Sequence, residues 1–237
     1  MTALDGRLAV ITGATGVLGG SVVRAFLDAG AHVAGPYRSE SGAEELRASL
    51  GAMGERLVLE RADAEDETAL SRFAATVVRR FGRIDALAAL AGGFAAGAVA
   101  DTGIADVRAL FEQNLVTAYV AIRAVLPHMR ARAYGRIVCV GARPALRGGK
   151  NTAAYAIAKA GVVRLVESLA DEVKDEGITV NAVLPSTIDH PVNRASMPKA
   201  DPKKWVQPAE LAATILFLCS PESSGVTGAA IPVFGRV

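Results

Sequence analysis

A chain of 237 residues is long enough to bury one sizeable core as a single domain. Its 26 basic and 24 acidic residues leave a formal charge of +2, too balanced for a nucleic-acid-binding or membrane-binding surface. The longest apolar stretches, such as Ala86 to Ala100, are rich in Gly and Ala and too short to span a bilayer. No basic region followed by an apolar core opens the chain, so the expectation is a cytoplasmic protein without a signal peptide.

Short apolar runs alternate with longer amphipathic stretches throughout, without linkers, repeats or low-complexity segments. This predicts one α/β domain over residues 1–237, a doubly wound parallel sheet of seven strands with helices on both faces. Strands are expected near Leu8–Thr12, His32–Pro36, Arg56–Glu60, Ile84–Leu90, Arg136–Gly141, Thr179–Leu184 and Ile231–Phe234. The first runs straight into Thr12-Gly13-Ala14-Thr15-Gly16-Val17-Leu18-Gly19, and the helix after it carries Val22, Val23, Phe26 and Leu27. A strand, a glycine turn and a helix N-terminus make a pyrophosphate site, because backbone N–H groups point at the anion and the helix dipole favours negative charge. Gly13, Thr15, Gly16, Val17, Leu18 and Gly19 are its candidate residues, with a plain turn as the competing reading, since G-x-x-G-x-x-G departs from G-x-G-x-x-G.

The second strand ends in Gly35-Pro36-Tyr37-Arg38-Ser39. An acid there would hold the ribose 2′-hydroxyl of NAD. Arg38 and Ser39 instead suit a 2′-phosphate, which favours NADPH/NADP over NADH/NAD, unless Arg38 is an ordinary surface arginine. Asp63-Ala64-Glu65-Asp66-Glu67 reads as a solvated helix start. Cys139 and Cys219 sit in apolar runs without metal-ligand spacing, so both are expected to be buried core thiols and no metal site is expected. His32, on a strand, and His128, after Pro127, are assigned structural or solvated roles.

Tyr155 and Lys159 are four apart in an expected helix and so share one face. A nearby ammonium favours the phenolate, and the pairing predicts a Tyr155 pKa lowered towards one useful for proton transfer. The competing reading is a packed ring beside a solvated ammonium. The same helix carries Val162, Val163, Val166, Leu169 and Val173, a core or subunit-facing stripe, and Gly177 stands where a left-handed helix cap is common.

In order and spacing, these motifs resemble the short-chain dehydrogenase/reductase family over essentially the whole chain. The resemblance implies a Rossmann-type fold, with Tyr155 and Lys159 as the catalytic pair and Asn114 of Glu112-Gln113-Asn114-Leu115 as the helix-kinking residue that positions a proton-relay water. It also implies Asp63 near the adenine, with Ala91, Gly92, Pro185, Thr187 and Ile188 along the cofactor, and Val226 to Val233 as the C-terminal strand. NAD-specific members place their acid where Tyr37 falls. The substrate would be a small molecule with a carbonyl, imine or quinonoid group, and the assembly a homodimer or homotetramer pairing the Leu110–Met129 helix and the active-site helix.

Departures narrow the reading. Ala142 stands where the family's usual serine hydrogen-bonds the substrate carbonyl, with Thr152 or Asn151 as possible replacements or as mere helix openers. His190 falls where the family has Thr beside the nicotinamide carboxamide; Phe94 and Trp205 are assigned either to pocket and lid or to the core. Ala142, Ala91-Gly92-Gly93-Phe94 and Pro185 to Pro198 together resemble the dihydropteridine reductase branch. Two alternatives stay open: a general ketoacyl or ketone reductase with its serine replaced, and a catalytically weak nucleotide-binding regulator on the same fold.

Overall fold

A computed structural model describes residues 4–237. Seven strands, Leu8–Thr12 (β1), His32–Tyr37 (β2), Leu57–Arg61 (β3), Ala86–Ala89 (β4), Gly135–Val140 (β5), Ile178–Pro185 (β6) and Ala230–Val233 (β7), form one sheet. Their order is β3-β2-β1-β4-β5-β6-β7, and every pairing is parallel. All seven expected strands are present, with ends shifted by at most two residues. Helices cover both faces, which is why β1 and β6 are buried along their whole length, the polar Thr12, Thr179 and Asn181 included.

The helices are Val17–Asp28 (α1), Glu40–Leu50 (α2), Glu67–Phe81 (α3), Ile104–Phe111 (α4), Thr117–Arg130 (α5), Ala153–Glu172 (α6), Pro191–Ser196 (α7) and Pro208–Leu218 (α8). Leu8 and Val10 of β1 point into a core shared with Phe73 of α3, Val125 of α5 and Val166 of α6. Ala9 and Ile11 point the other way, into a core with Phe26 of α1, Leu46 of α2 and Ile215 of α8. The period of two along a strand thus divides one sequence between two cores. Val162, Val163, Val166, Leu169 and Val173 all lie in the first, so the stripe is core rather than subunit-facing.

Sequential strands run outward from β1 in one direction and from β4 in the other, leaving a crevice at their carboxyl ends. Ligands of such sheets bind at that switch point. The solvated helix start is also as expected, since Asp66 caps α3 by accepting from the Ala69 N–H at 2.9 Å. Gly177 differs from expectation. The cap of α6 is Val173, and a further turn follows before β6; Gly177 has φ +70°, but it turns the chain into the strand beside Ala133, whose carbonyl oxygen would lie 2.3 Å from an added Cβ.

Candidate active site

The phosphate-type loop is built from close backbone approach. Gly13 adopts φ +66°, and an added Cβ would lie 3.0 Å from the Ala91 N, so the loop packs directly on the exit of β4. The Thr12 hydroxyl reinforces that seam by accepting from the N–H groups of Leu90 and Ala91 at 3.2 and 3.3 Å. Gly19, in the first turn of α1, is tighter still, because its Cβ would meet the Gly13 carbonyl oxygen at 2.0 Å. Gly19→Ala should therefore cost about 2 kcal/mol of stability through forced backbone displacement and weaken dinucleotide binding, as read by chemical denaturation and calorimetry. Gly16 precedes α1, whose first turn carries no acid to compete with a bound anion.

A cavity of about 400 Å³ opens at the switch point, and Gly13, Thr15, Gly16, Arg38, Ser39, Asp63, Ala91 and Gly92 all line it. Eight of the residues expected on the cofactor thus converge from four separate loops. Arg38 is exposed at this site and makes no ion pair among the described residues. Ser39 caps α2, its oxygen accepting from the Gly42 N–H at 3.4 Å. Val17 instead lines a larger recess of about 800 Å³ between α1, α2 and α8, which none of Tyr155, Lys159 and Asn114 lines. Leu18 packs on the second core. Pro185 ends β6, and Thr187 and Ile188 beyond it pair with Val206, so these three stand at or just past the end of β6 rather than in the 400 Å³ cavity.

Between α4 and α5 the helix widens into a π-helical segment, Glu112–Val116, which interrupts the expected Leu110–Met129 helix at Asn114. The Asn114 side chain is buried, and both its amide protons are used: its Nδ2 donates to the Leu110 carbonyl at 2.9 Å and to the Gly93 carbonyl at 3.0 Å. Its Oδ1 accepts from the Gly93 N–H at 3.2 Å. This clamp holds the chain after β4 against the widened helix. Gln113 and Thr117, which sequence reasoning left aside, also line the cavity; proximity to Asn114 was the only available signal.

Tyr155 and Lys159 share the first turns of α6 as expected, but their electrostatics differ from expectation. Lys159 is buried and its Nζ donates to the Val140 carbonyl at 2.8 Å, 5.9 Å from the Tyr155 ring centroid. Burial lowers the ammonium to about 8. Burial likewise raises the Tyr155 phenol to about 12, where the pairing alone predicts a fall; desolvation is the cause, and the ammonium is turned towards a strand carbonyl. Phe94 contributes to that cover, standing edge-on to Tyr155 at 4.9 Å between centroids while itself 65% exposed. A Cβ on Gly92 would lie 2.8 Å from Asn114 Oδ1 and 3.4 Å from Lys159 Nζ, so the dinucleotide-type cavity reaches the catalytic-type side chains at this residue.

Ala142 is buried after β5. Thr152 does not replace its missing hydroxyl: its Oγ1 donates to the Gly149 carbonyl at 3.0 Å and accepts from the Gly149 N–H at 3.3 Å. Asn151 is an exposed left-handed residue, φ +61°, at the helix entry. His190 caps α7, its Nδ1 accepting from the Val192 N–H at 3.0 Å. Trp205 is buried, which favours packing over a lid role. Both cysteines are buried, and burial pushes the Cys139 thiol up to about 12.

The Gly-loop cradle, the acid-free first turn of α1 and the open approach at Gly92 fit a dinucleotide. Known proteins place the chain in the corresponding class. Residues 13–235 match a family model described as enoyl-(acyl carrier protein) reductase. A 3-oxoacyl-[acyl-carrier-protein] reductase of Vibrio cholerae is 30% identical over 240 residues, covering 98% of this chain and 97% of that protein. An L-rhamnose 1-dehydrogenase (NAD(P)(+)) of a Sphingomonas species is 31% identical over 247 residues, covering 99% and 97%. The fold matches carveol dehydrogenase from Mycobacterium avium in complex with NAD, with TM-score 0.91, 24% identity and coverage of 99% and 98%. The chain belongs to the short-chain dehydrogenase/reductase family of oxidoreductases, on a Rossmann-type fold.

Proposed function

We propose that the chain is a single-domain NADP(H)-dependent oxidoreductase that moves a hydride between nicotinamide and a carbonyl, imine or quinonoid carbon of a small molecule. The observation that supports this best is the meeting of Gly92 with Asn114 and Lys159, which joins the dinucleotide-type cavity to the catalytic pair. The cofactor, when bound, supplies the hydride. Gly13, Thr15, Gly16 and Gly19 would form its phosphate cradle, and Arg38 and Ser39 would meet a 2′-phosphate.

Tyr155 donates its phenolic proton to the substrate heteroatom in reduction and recovers it in oxidation. A phenol raised to about 12 is protonated at neutral pH, the form a donor needs. Lys159 would hold the ribose hydroxyls of the bound cofactor; Asn114 fixes the Gly93 backbone and would position a relay water. Tyr119 of α5 and Ile157 of α6 stay exposed, which supports pairing of these helices in a homodimer or homotetramer. The balanced charge, and the lack of any described helix long and apolar enough to cross a membrane, agree with a cytoplasmic enzyme.

A second reading, a general ketoacyl or ketone reductase with its serine replaced by Ala142, is favoured by the 3-oxoacyl reductase relative. The test is a carbonyl panel followed by NADPH absorbance, including simple diketones and a quinonoid dihydropterin; no turnover of any member would overturn the reading. For the cofactor, Arg38→Ala should weaken NADPH binding about tenfold and NADH binding much less, because a charged hydrogen-bond donor to the 2′-phosphate is lost. Calorimetry finding tighter NADH than NADPH binding in the unmutated protein would refute the preference.

A further inference from the structure

Tyr37, the last residue of β2, donates its hydroxyl to Oε2 of Glu40 in the first turn of α2, at 2.6 Å. Arg47, about two turns along the same helix, donates to Oε1 at 3.4 Å, and its guanidinium carbon lies 5.8 Å from the Tyr37 ring centroid. The Tyr37 hydrogen bond is the main influence holding the Glu40 carboxyl below its ordinary range, with Arg47 and Arg61 acting in the same direction. Tyr37, Arg38 and Ser39 all line the cavity at the switch point; Glu40 does not. A carboxylate next to Ser39 would repel a 2′-phosphate and would accept hydrogen bonds from a free 2′-hydroxyl.

We propose that Tyr37 is a positioning residue for cofactor specificity: its hydroxyl ties the Glu40 carboxylate back, so that the adenosine 2′ position meets Arg38 and the α2 N-terminus instead of an acid. The Ser39 and Ser41 hydroxyls, 2.8 Å apart, complete that donor-rich end of the helix. The proposal rests on the reading of Arg38 and Ser39 as the 2′-phosphate contacts and adds to it a latch on the neighbouring negative charge. Glu40 is also an acid in the first turn of a helix, and a purely helix-stabilising role would be indifferent to which dinucleotide binds.

The test is a double-mutant cycle on binding, which needs no substrate. Dissociation constants for NADPH and NADH are measured by calorimetry for the unmutated protein, Tyr37→Phe, Glu40→Gln and the double variant. Phe keeps the ring that lines the cavity and removes only the hydroxyl. Tyr37→Phe should cut the NADPH-over-NADH preference about fivefold or more, since the released carboxylate disfavours the phosphate and favours the free ribose. Glu40→Gln should maintain or raise the preference, and in the Gln background Tyr37→Phe should change it by less than about twofold. An equal loss with Glu and with Gln at position 40, or no loss in either, would overturn the latch. If the unmutated protein prefers NADH, the Arg38 and Ser39 reading fails; the latch is then still judged by whether the effect of Tyr37→Phe depends on Glu40. Melting temperatures of the four proteins separate helix destabilisation from a change in preference.

Discussion

Tyr155→Phe should lower turnover about a thousandfold while leaving NADPH affinity within a few-fold, because the change deletes the proton donor and keeps the ring. The ring's edge-on packing against Phe94, at 4.9 Å between centroids, does not depend on the hydroxyl. Stopped assays on any substrate found in the panel give the first number and calorimetry the second; an unchanged rate would remove Tyr155 from the mechanism. The pH profile of the unmutated protein provides an independent arm. With the phenol at about 12 and the ammonium at about 8, Lys159 is the first of the pair to lose its proton as pH rises. Reduction should therefore fall on the alkaline side from about pH 8, and Lys159→Met should be slow and lack that limb.

The sign for stability is opposite. The folded-state pKa of Lys159 is depressed from 10.5 to about 8, so the unfolded chain binds the extra proton between those values. Its penalty on folding is full below about pH 8 and lifts as pH rises through that window. Urea midpoints against pH should show this gain in the unmutated protein relative to Lys159→Met.

Much of this site was legible because its determinants are local. The strands are short, mostly apolar runs, the loop needs glycine at Gly13 and Gly19 for reasons of backbone approach, and a four-residue gap on a helix does bring Tyr155 and Lys159 to one face. Spacing along a helix says nothing of what the helix packs against. Burial of α6 beside β5 turns Lys159 towards the Val140 carbonyl and raises the Tyr155 phenol, and that reversal belongs to tertiary structure. The Thr152 hydroxyl was similarly ambiguous: its sequence fits a helix opener or a replacement donor, and only the Gly149 contacts decide between them. Gln113 escaped notice because its value comes from the π-helical widening that places it on the cavity. In the sequence Tyr37 marks only the absence of an acid, whereas its hydroxyl contacts one three residues further on.

Ala142→Ser should change the reduction of a simple diketone by less than about threefold, although one oxyanion donor is ordinarily worth roughly 3 kcal/mol, about a hundredfold. The reason lies in the surroundings of Ala142. It is buried, and a hydroxyl there that takes a protein partner instead of the substrate oxygen adds nothing in the transition state, while one left unpaired costs stability of about 1–3 kcal/mol rather than adding rate. The Thr152 hydroxyl is held by Gly149, and an exposed Phe94 ring stands against Tyr155, so the apolar character extends beyond one position. Such walls suit a substrate whose developing charge is delocalised, as in a quinonoid ring, better than one that concentrates it on a single oxygen. The measurement is kcat/KM of both proteins on butane-2,3-dione and on a quinonoid dihydropterin. A gain near a hundredfold on the diketone, with no pterin activity in either protein, would show an impaired general ketone reductase and sink the specialised reading.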